Sequence, residues 1–147
     1  MKTIVVILLS ISISSRPITR EVFIDETLKQ YVDSFISEGK LYGYDLDYTI
    51  TVLVEEPPKV NGKTVNGSYS PKDNMIRISP RIMSKPQSVE AIMWHEMGHG
   101  YFDREDLGRT KNPTSFMYVY SWDILPDWDS QREILRKEMF NSLENSK

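Results

Sequence analysis

The chain has no cysteine and only two histidines in its 147 residues. Without cysteine, the protein forms no disulfide, offers no thiolate to a metal and has no cysteine nucleophile. Basic residues are fewer than acidic ones, and the formal net charge is −3. Because nucleic-acid-binding proteins usually carry a basic patch, we expect no nucleic-acid partner. The absence of cysteine thus removes whole classes of functional site from consideration.

A continuous apolar run of about 20 residues, which a transmembrane helix requires, is also missing. The most apolar stretch extends from Ile4 to about Ile13, follows Lys2 and ends near the small residue Ser14. We therefore predict a signal peptide over residues 1–14, and hence export to the periplasm or the extracellular space without stable membrane insertion. A buried strand is the alternative interpretation, and the protein would then be cytoplasmic.

The remaining residues, 15–147, are enough for one hydrophobic core and too few for two, so we predict a single domain. A pattern with helical spacing comes first, with Asp25 as a candidate N-cap and Gly39 as a stop signal. Its apolar positions are Leu28, Tyr31, Val32, Phe35 and Ile36. From Leu46 to Val54, apolar and polar residues alternate, which predicts a half-buried strand.

Turns and short strands are predicted next. The stretch "KVNGKTVNG" has two Asn-Gly pairs, typical of a turn-rich loop or small hairpin, and "GSYS", "PKDN" and "MIRIS" predict strand, turn and strand. A second helix should begin at Pro86, run through the histidines and break near Gly98 or Gly100. After an irregular segment, a last helix is predicted over residues 129–143. Its inner face would carry Ile134, Leu135, Met139 and Leu143.

The order of these elements, helix, strands, helix, irregular segment and helix, predicts an α+β domain. A twisted, mixed and mostly antiparallel sheet would lie over the helix that carries the histidines. That helix is the element on which we expect the chemistry.

Both histidines lie in one motif of the form HExxH, His95-Glu96-Met97-Gly98-His99. On a helix, residues four apart lie on the same face, so both imidazoles can bind one zinc ion. Glu96 lies about 100° around the helix from His95, where it can take a proton from a zinc-bound water that attacks a peptide carbonyl. The alternative is a pair of solvated or core histidines without a metal.

The third protein ligand is left open by this motif. Because the chain has no cysteine and no third histidine, the ligand must be a carboxylate, or the site has only two protein ligands. In a continuous helix Asp103 would share the histidine face, but it would lie roughly 12 Å along the axis from His95. A break in the helix would instead let Asp106, seven residues beyond His99, return to the metal.

The stretches "HEMGHGYFDRED" and "PTSFMY" resemble the metzincin-like zinc metallopeptidases, especially small exported or phage-encoded ones with the motif HELGHxxLxRxH followed by SIM. The first stretch matches at His95, Glu96, Gly98, His99 and Arg104, with Phe102 at the leucine position and Asp106 at the third histidine. The resemblance covers roughly residues 46–120. It implies a zincin fold, Zn²⁺ bound by both histidines and Asp106, hydrolysis of peptide bonds, and a Met-turn that places Met117 beneath the metal.

The chain departs from this family at two points. The usual metzincin pattern, HExxHxxGxxH, would require glycine at position 102 and histidine at position 105, where this chain has Phe102 and Glu105. The chain therefore fits only the variant with one extra residue, and aspartate replaces the third histidine. Glu133 is the alternative ligand, because another zincin class takes a glutamate from a later helix, although the motif favours Asp106.

Three further residues near the motif are candidates for supporting roles. Tyr118 and Tyr120 flank the Met-turn, where a tyrosine hydroxyl could donate to the oxyanion that forms on attack, with packing as the alternative. Arg104 lies between acidic neighbours. It is expected either to support the metal ligands from behind or to form a surface ion pair.

The sequence thus predicts a secreted zinc-dependent endopeptidase that binds a peptide or protein substrate along an edge strand and uses a water activated by Glu96. A catalytically inactive zinc-binding module and a zinc hydrolase of a non-peptide amide are the alternatives. Glu96 favours an enzyme, because a structural zinc site needs no general base and would be closed by a fourth protein ligand. The oligomeric state stays open.

Overall fold

The protein is described by a computed structural model over residues 21–118 and 125–144. The predicted signal peptide and Tyr120 lie outside these residues. Within them the chain forms α1 (Lys29–Leu41), β1 (Thr51–Val54), β2 (Gly67–Ser70), β3 (Met75–Ile78), a 3₁₀ turn (Pro80–Ile82), α2 (Pro86–Phe102) and α3 (Trp128–Glu144). This arrangement confirms the predicted α+β class. None of these helices combines the length and the hydropathy that a membrane span requires.

The three strands form one mixed sheet in the order β1-β3-β2. β1 pairs parallel with β3, and β2 pairs antiparallel with β3, which confirms the predicted strand, turn and strand. On the other side of β1, the N–H of Val52 donates to Phe23 O at 2.8 Å, and the N–H of Asp25 donates to Val52 O at 2.9 Å. Among the described residues, β2 is therefore the strand that leaves one backbone edge without a neighbour.

The strand predicted from Leu46 onward forms only at its end. β1 begins at Thr51 opposite Met75, the first residue of β3, so the residues before Thr51 have no strand with which to pair. Leu46 and Ile50 are buried in the core, whereas Tyr48 is 42% exposed. The alternation of apolar residues therefore reflects an irregular segment that covers the core before the strand starts.

α1 forms where the apolar spacing predicts a helix, but the predicted signals at its ends are wrong. The Asp25 carboxylate accepts hydrogen bonds from the N–H and the hydroxyl of Thr27, in a turn that precedes the helix. Gly39 lies inside the helix, where a Cβ would overlap a methyl group of Leu46. The absence of a side chain at Gly39 thus allows α1 to pack closely against the segment that contains Leu46. Gly43, with a φ of 84°, follows the end of the helix.

Each α-helix contributes one aromatic ring to the centre of the core. Phe35 from α1, Trp94 from α2 and Phe140 from α3 are fully buried, and their ring centroids lie 4.9 to 5.8 Å apart. Edge-on and tilted ring contacts at these distances contribute beyond the burial of apolar area. The three helices therefore share one core around a common aromatic cluster.

α3 forms within one residue of the predicted bounds at each end. Leu135 and Met139 are buried as predicted, but Ile134 is 57% exposed and Phe140 occupies the core instead. Ile134 lies about 100° around the helix from Leu135, outside the stripe that contacts the core. The side chain of Leu143 lies outside the described residues.

A buried ion-pair network joins the three helices. Arg136 from α3 donates to Glu90 from α2 and pairs with Glu38 from α1 at 3.4 Å. Its guanidinium also lies 4.9 Å from the centre of the Trp94 ring. Burial raises the pKa of Glu38, and the charge of Arg136 opposes that rise. Sequence analysis did not identify this network.

Candidate metal centre

The helix that carries both histidines is longer than predicted. α2 continues through Gly98 and Gly100 and ends at Asp103, whose backbone is left-handed with a φ of 53°. A Cβ at Gly98 would lie 2.6 Å from Met117 Sδ, and one at Gly100 would overlap the side chain of Ile50. Both glycines therefore permit close packing against α2, and the predicted break at these positions is wrong.

The chain reverses immediately after α2. The N–H of Asp103 donates to His99 O at 3.0 Å, and the N–H of Arg104 donates to Gly98 O at 3.2 Å, which satisfies carbonyl groups at the helix end. Three residues further on, the N–H of Leu107 donates to Met117 O at 3.0 Å. The segment between these bonds is thereby held across the histidine face of α2.

The two histidine rings are oriented by backbone carbonyl groups. His95 Nδ1 lies 2.8 Å from Phe116 O, and His99 Nδ1 lies 2.6 Å from Arg104 O. Because a carbonyl oxygen only accepts hydrogen bonds, both Nδ1 atoms carry the hydrogen and donate it. The Nε2 atoms of the neutral rings then present lone pairs to each other at 3.0 Å. A metal ion bound by both nitrogens, or a proton on one of the two rings, would relieve the repulsion between the facing lone pairs.

Asp106 completes a three-atom group with these nitrogens. Its Oδ1 lies 3.1 Å from His95 Nε2 and 3.3 Å from His99 Nε2. Among the described residues, these three form the one group of histidine and carboxylate side chains that could hold a metal ion. A tetrahedral zinc ion with ligands at about 2.1 Å places neighbouring ligand atoms about 3.4 Å apart, close to the distances found here. The donor set and its spacing therefore fit zinc.

The other two candidate ligands lie elsewhere. Asp103 lines the same cleft but caps the end of α2 and does not belong to the three-atom group. Glu133 is exposed on α3, where its charge acts on Glu38. The structure thus brings Asp106 to the histidines and leaves Asp103 and Glu133 apart from them.

The charges of these groups shift their pKa values in opposite directions. The hydrogen bond to His95 lowers the pKa of Asp106, and partial burial opposes this. Burial acts to lower the pKa of His95, but the Asp106 carboxylate, the charge of Glu96 and the Phe116 carbonyl outweigh it and raise that pKa. The site therefore favours positive charge at the point where the three ligand atoms converge.

Glu96 is 6% exposed and points toward β2, away from the two histidine Nδ1 contacts. Its Oε1 would lie 3.1 Å from a Cβ at Gly67 of β2. Burial raises the pKa of Glu96, while His95 and His99 oppose the rise. A carboxylate with a raised pKa, held beside a candidate metal site, suits a group that accepts and returns a proton.

A cleft of about 750 Å³ lies between β2 and the histidine face of α2. Residues Gly67, Ser68 and Tyr69 of β2 form one wall. The opposite wall contains His95, Glu96, His99, Asp106 and Tyr118. The candidate metal centre therefore opens into a space large enough for a substrate, and Tyr118 faces that space.

The turn that contains Met117 supports the site from behind. Met117 is fully buried against Gly98, and its N–H donates to Ser115 Oγ at 3.1 Å. Between them, Phe116 supplies the carbonyl oxygen that orients His95. Sequence analysis pointed to Met117 through the resemblance to a Met-turn, but it missed Phe116, because every residue has a backbone carbonyl and none is marked in the sequence.

Sequence analysis also missed Glu138. Its carboxylate pairs with Arg104 at 2.7 Å behind the histidines. One feature of the sequence could have indicated its role. Glu138 is an acidic residue three positions after Leu135, on the otherwise apolar face of α3.

Comparison with known proteins gives no match to any family model, curated protein or solved structure. The resemblance to metzincin-like metallopeptidases therefore depends on the motif and on where this chain places the residues of that motif.

Proposed function

We propose that the protein is a zinc-dependent endopeptidase of the zincin type. The observation that supports this most directly is the convergence of His95 Nε2, His99 Nε2 and Asp106 Oδ1 within 3.3 Å beside the buried Glu96 carboxylate. A purely structural zinc site would be closed by a fourth protein ligand and would not need the adjacent carboxylate.

His95, His99 and Asp106 would hold the zinc ion. When bound, zinc supplies Lewis acidity, which polarises a substrate carbonyl and makes water a better nucleophile near neutral pH. The Nδ1 contacts to backbone carbonyls keep both Nε2 lone pairs directed at the ion. Three protein ligands leave a coordination position open toward the cleft.

Glu96 is the general base and later the general acid. It takes a proton from the water whose oxygen bonds to the carbonyl carbon, and it returns that proton to the nitrogen when the C–N bond breaks. The products are a carboxylic acid and an amine, so atoms and charge balance. Burial raises the pKa of Glu96 toward the range in which it can accept and release a proton near neutrality.

The substrate is an extended peptide that pairs with the free edge of β2. The opposite side of the sheet is already covered at Phe23 and Asp25, and β2 lines the cleft beside the candidate metal centre. Backbone pairing with an edge strand orders a peptide without requiring a particular sequence. Tyr118 faces the same cleft and would donate its hydroxyl hydrogen to the oxyanion. The same role for Tyr120 stays a prediction.

The Glu96→Gln variant tests this proposal. We expect the parent to bind one zinc ion and to hydrolyse a peptide library. The variant should bind zinc equally well and hydrolyse peptides at least about a hundredfold more slowly, because a positioned base contributes that much. Metal analysis, calorimetric zinc titration and mass spectrometry of the peptides give the three readouts.

Two outcomes would contradict the proposal. A parent that binds zinc but cleaves no peptide would favour an inactive zinc-binding module, or a hydrolase of non-peptide amides if small acyl amides are cleaved. If Glu96→Gln hydrolyses peptides as fast as the parent does, Glu96 is not the general base.

A further inference from the structure

Arg104 lies where α3, the end of α2 and the Met117 turn meet. Its side chain is 12% exposed and forms a two-point contact with Glu138 of α3. Nη2 donates to Oε1 at 2.7 Å, and Nη1 donates to Oε2 at 3.3 Å. Nη1 also lies 3.4 Å from Met139 O. The guanidinium is therefore held against α3 by an ion pair with two N–H···O contacts.

The same residue connects to both carbonyl groups that orient the histidines. The backbone oxygen of Arg104 itself accepts from His99 Nδ1. Its Nη2 lies 3.4 Å from Ser115 Oγ, which in turn accepts from the N–H of Met117. The residue between these two, Phe116, carries the carbonyl that accepts from His95 Nδ1. Arg104 thus contacts His99 through its backbone carbonyl and is connected through its side chain and Ser115 to the turn whose carbonyl orients His95.

We propose that Arg104 and Glu138 are positioning residues that set the tautomer and direction of both histidine rings. Held by α3, they keep the carbonyls of Arg104 and Phe116 opposite the Nδ1 atoms, so that both Nε2 lone pairs converge. The consequence for zinc affinity rests on the proposed function, whereas the effect on the ring tautomers does not.

The energetic basis is the cost of separating a partly buried charge pair. Removing either partner leaves the other charge partly shielded from water and without its ion-pair partner. The Ser115 turn and the segment from Arg104 to Asp106 would then lose their connection to α3. Loss of an outer-shell partner of a metal-binding histidine typically lowers metal affinity 10- to 100-fold.

The Arg136–Glu90 pair offers a matched control. It also joins α3 to another helix through a partly buried arginine and a buried glutamate. However, its described contacts are with Glu90, Glu38 and the Trp94 ring, and none is with a carbonyl group that holds a histidine. Arg136→Met should therefore lower stability as Arg104→Met does without altering the histidines.

The test observes the ring nitrogens of the two histidines directly. Nitrogen-15 correlation spectra of the metal-free chain, recorded near pH 9 where imidazole is ordinarily neutral, report which ring nitrogen carries the hydrogen. We expect both rings of the parent and of Arg136→Met to be protonated at Nδ1. In Arg104→Met and Glu138→Gln, both tautomers should appear. The zinc Kd should rise 10- to 100-fold in these two variants and stay within about threefold in Arg136→Met.

The inference is overturned if Arg104→Met and Glu138→Gln keep the parental tautomers, or if Arg136→Met changes them equally. Glu138→Gln retains the shape of the side chain and supplies the test if Arg104→Met fails to fold. A parent that binds no zinc would refute the proposed function. Tautomers that change only in the Arg104 and Glu138 variants would still establish the positioning role.

Discussion

At the scale of single residues, Glu96 is subject to opposite demands from catalysis and from folding. Burial raises its pKa, an effect that His95 and His99 only partly offset. An acid whose pKa is higher in the folded state than in the unfolded state stabilises the fold below the unfolded pKa. That stability is lost as the pH rises through the folded pKa. The ionised carboxylate of Glu96 therefore destabilises the metal-free protein at neutral pH.

We expect Glu96→Gln to be more stable than the parent when both lack metal at neutral pH, because the variant buries no charge. The difference should vanish as the pH falls to about 3, where the carboxyl group is protonated in both states. Urea unfolding of chelator-treated protein across this pH range measures the effect. The exposed Glu105, changed to Gln, is the control and should show no such dependence. A variant that is less stable than the parent at neutral pH would contradict the prediction.

Asp106 and Glu133 can be separated by zinc titration. Asp106 Oδ1 lies within 3.3 Å of both histidine Nε2 atoms, whereas Glu133 is exposed beyond the site. We expect Asp106→Ala to weaken zinc binding by more than about a hundredfold, since losing a ligand should exceed the loss of an outer-shell partner. Glu133→Ala should bind zinc as the parent does. Intact affinity in the first variant and weakened affinity in the second would identify the other carboxylate as the ligand.

At the scale of elements, the approach of β2 to α2 depends on Gly67. A Cβ at this position would overlap Ile92 Cγ2 and lie 3.1 Å from Glu96 Oε1. The position of Cγ2 is set by χ1, which has one strongly preferred rotamer for isoleucine in a helix. Moving it aside therefore requires an unfavourable rotamer or a shift of the strand or the helix. The strand that would bind the peptide is thus kept in contact with the helix that carries the base.

We expect Gly67→Ala to lower the free energy of unfolding by about 1–3 kcal/mol, the usual cost of an overpacked contact. Peptide hydrolysis should fall more than zinc affinity, because the added methyl group approaches Glu96 and not the metal ligands. The same substitution in an Ile92→Ala background should cost less. Denaturant unfolding of the four proteins measures the coupling. An equal cost in both backgrounds would show that Ile92 is not the obstacle.

At the scale of the whole molecule, the short segment around Ile24 closes one side of the sheet. It supplies two backbone hydrogen bonds to Val52, and the side chain of Ile24 packs against the core. Because residues 1–14 are the predicted signal peptide, we expect a chain that begins at Ser15 to be as stable as the full chain. One that begins at Glu26 should lose about 1–3 kcal/mol, the contribution of two hydrogen bonds. Thermal unfolding compares them, and equal stability of the two shortened chains would contradict the prediction.

We propose export on the basis of the apolar run in residues 1–14. Cleavage after Ser14 would leave the segment around Ile24 intact, so the exported chain would keep the covered sheet edge. Mass spectrometry of the protein from its native host should find an N-terminus near Ser15. A chain that retains Met1 would show that the apolar run is not a cleaved signal.

The sequence by itself determined the types of elements and the pairing of the histidines. Helical spacing specified α1 and α3, turn residues specified the β2–β3 hairpin, and HExxH placed two imidazoles on one helix face. Each of these features depends on residues a few positions apart, and local spacing encodes such features directly. The alternation of apolar and polar residues predicted a β1 that is longer than the observed strand, because the length of a strand also depends on its partner.

Only the tertiary structure decided where α2 ends and which carboxylate meets the histidines. Gly98 and Gly100 appear in the sequence as possible breaks, but contacts with Met117 and Ile50 keep the helix continuous, so the chain reverses at Asp103. That point of reversal brings Asp106 to the histidines. The carbonyls that orient the rings, and Glu138 as the partner of Arg104, were likewise unmarked. Backbone oxygens are identical at every residue, and only packing between distant segments selects the ones that face a histidine.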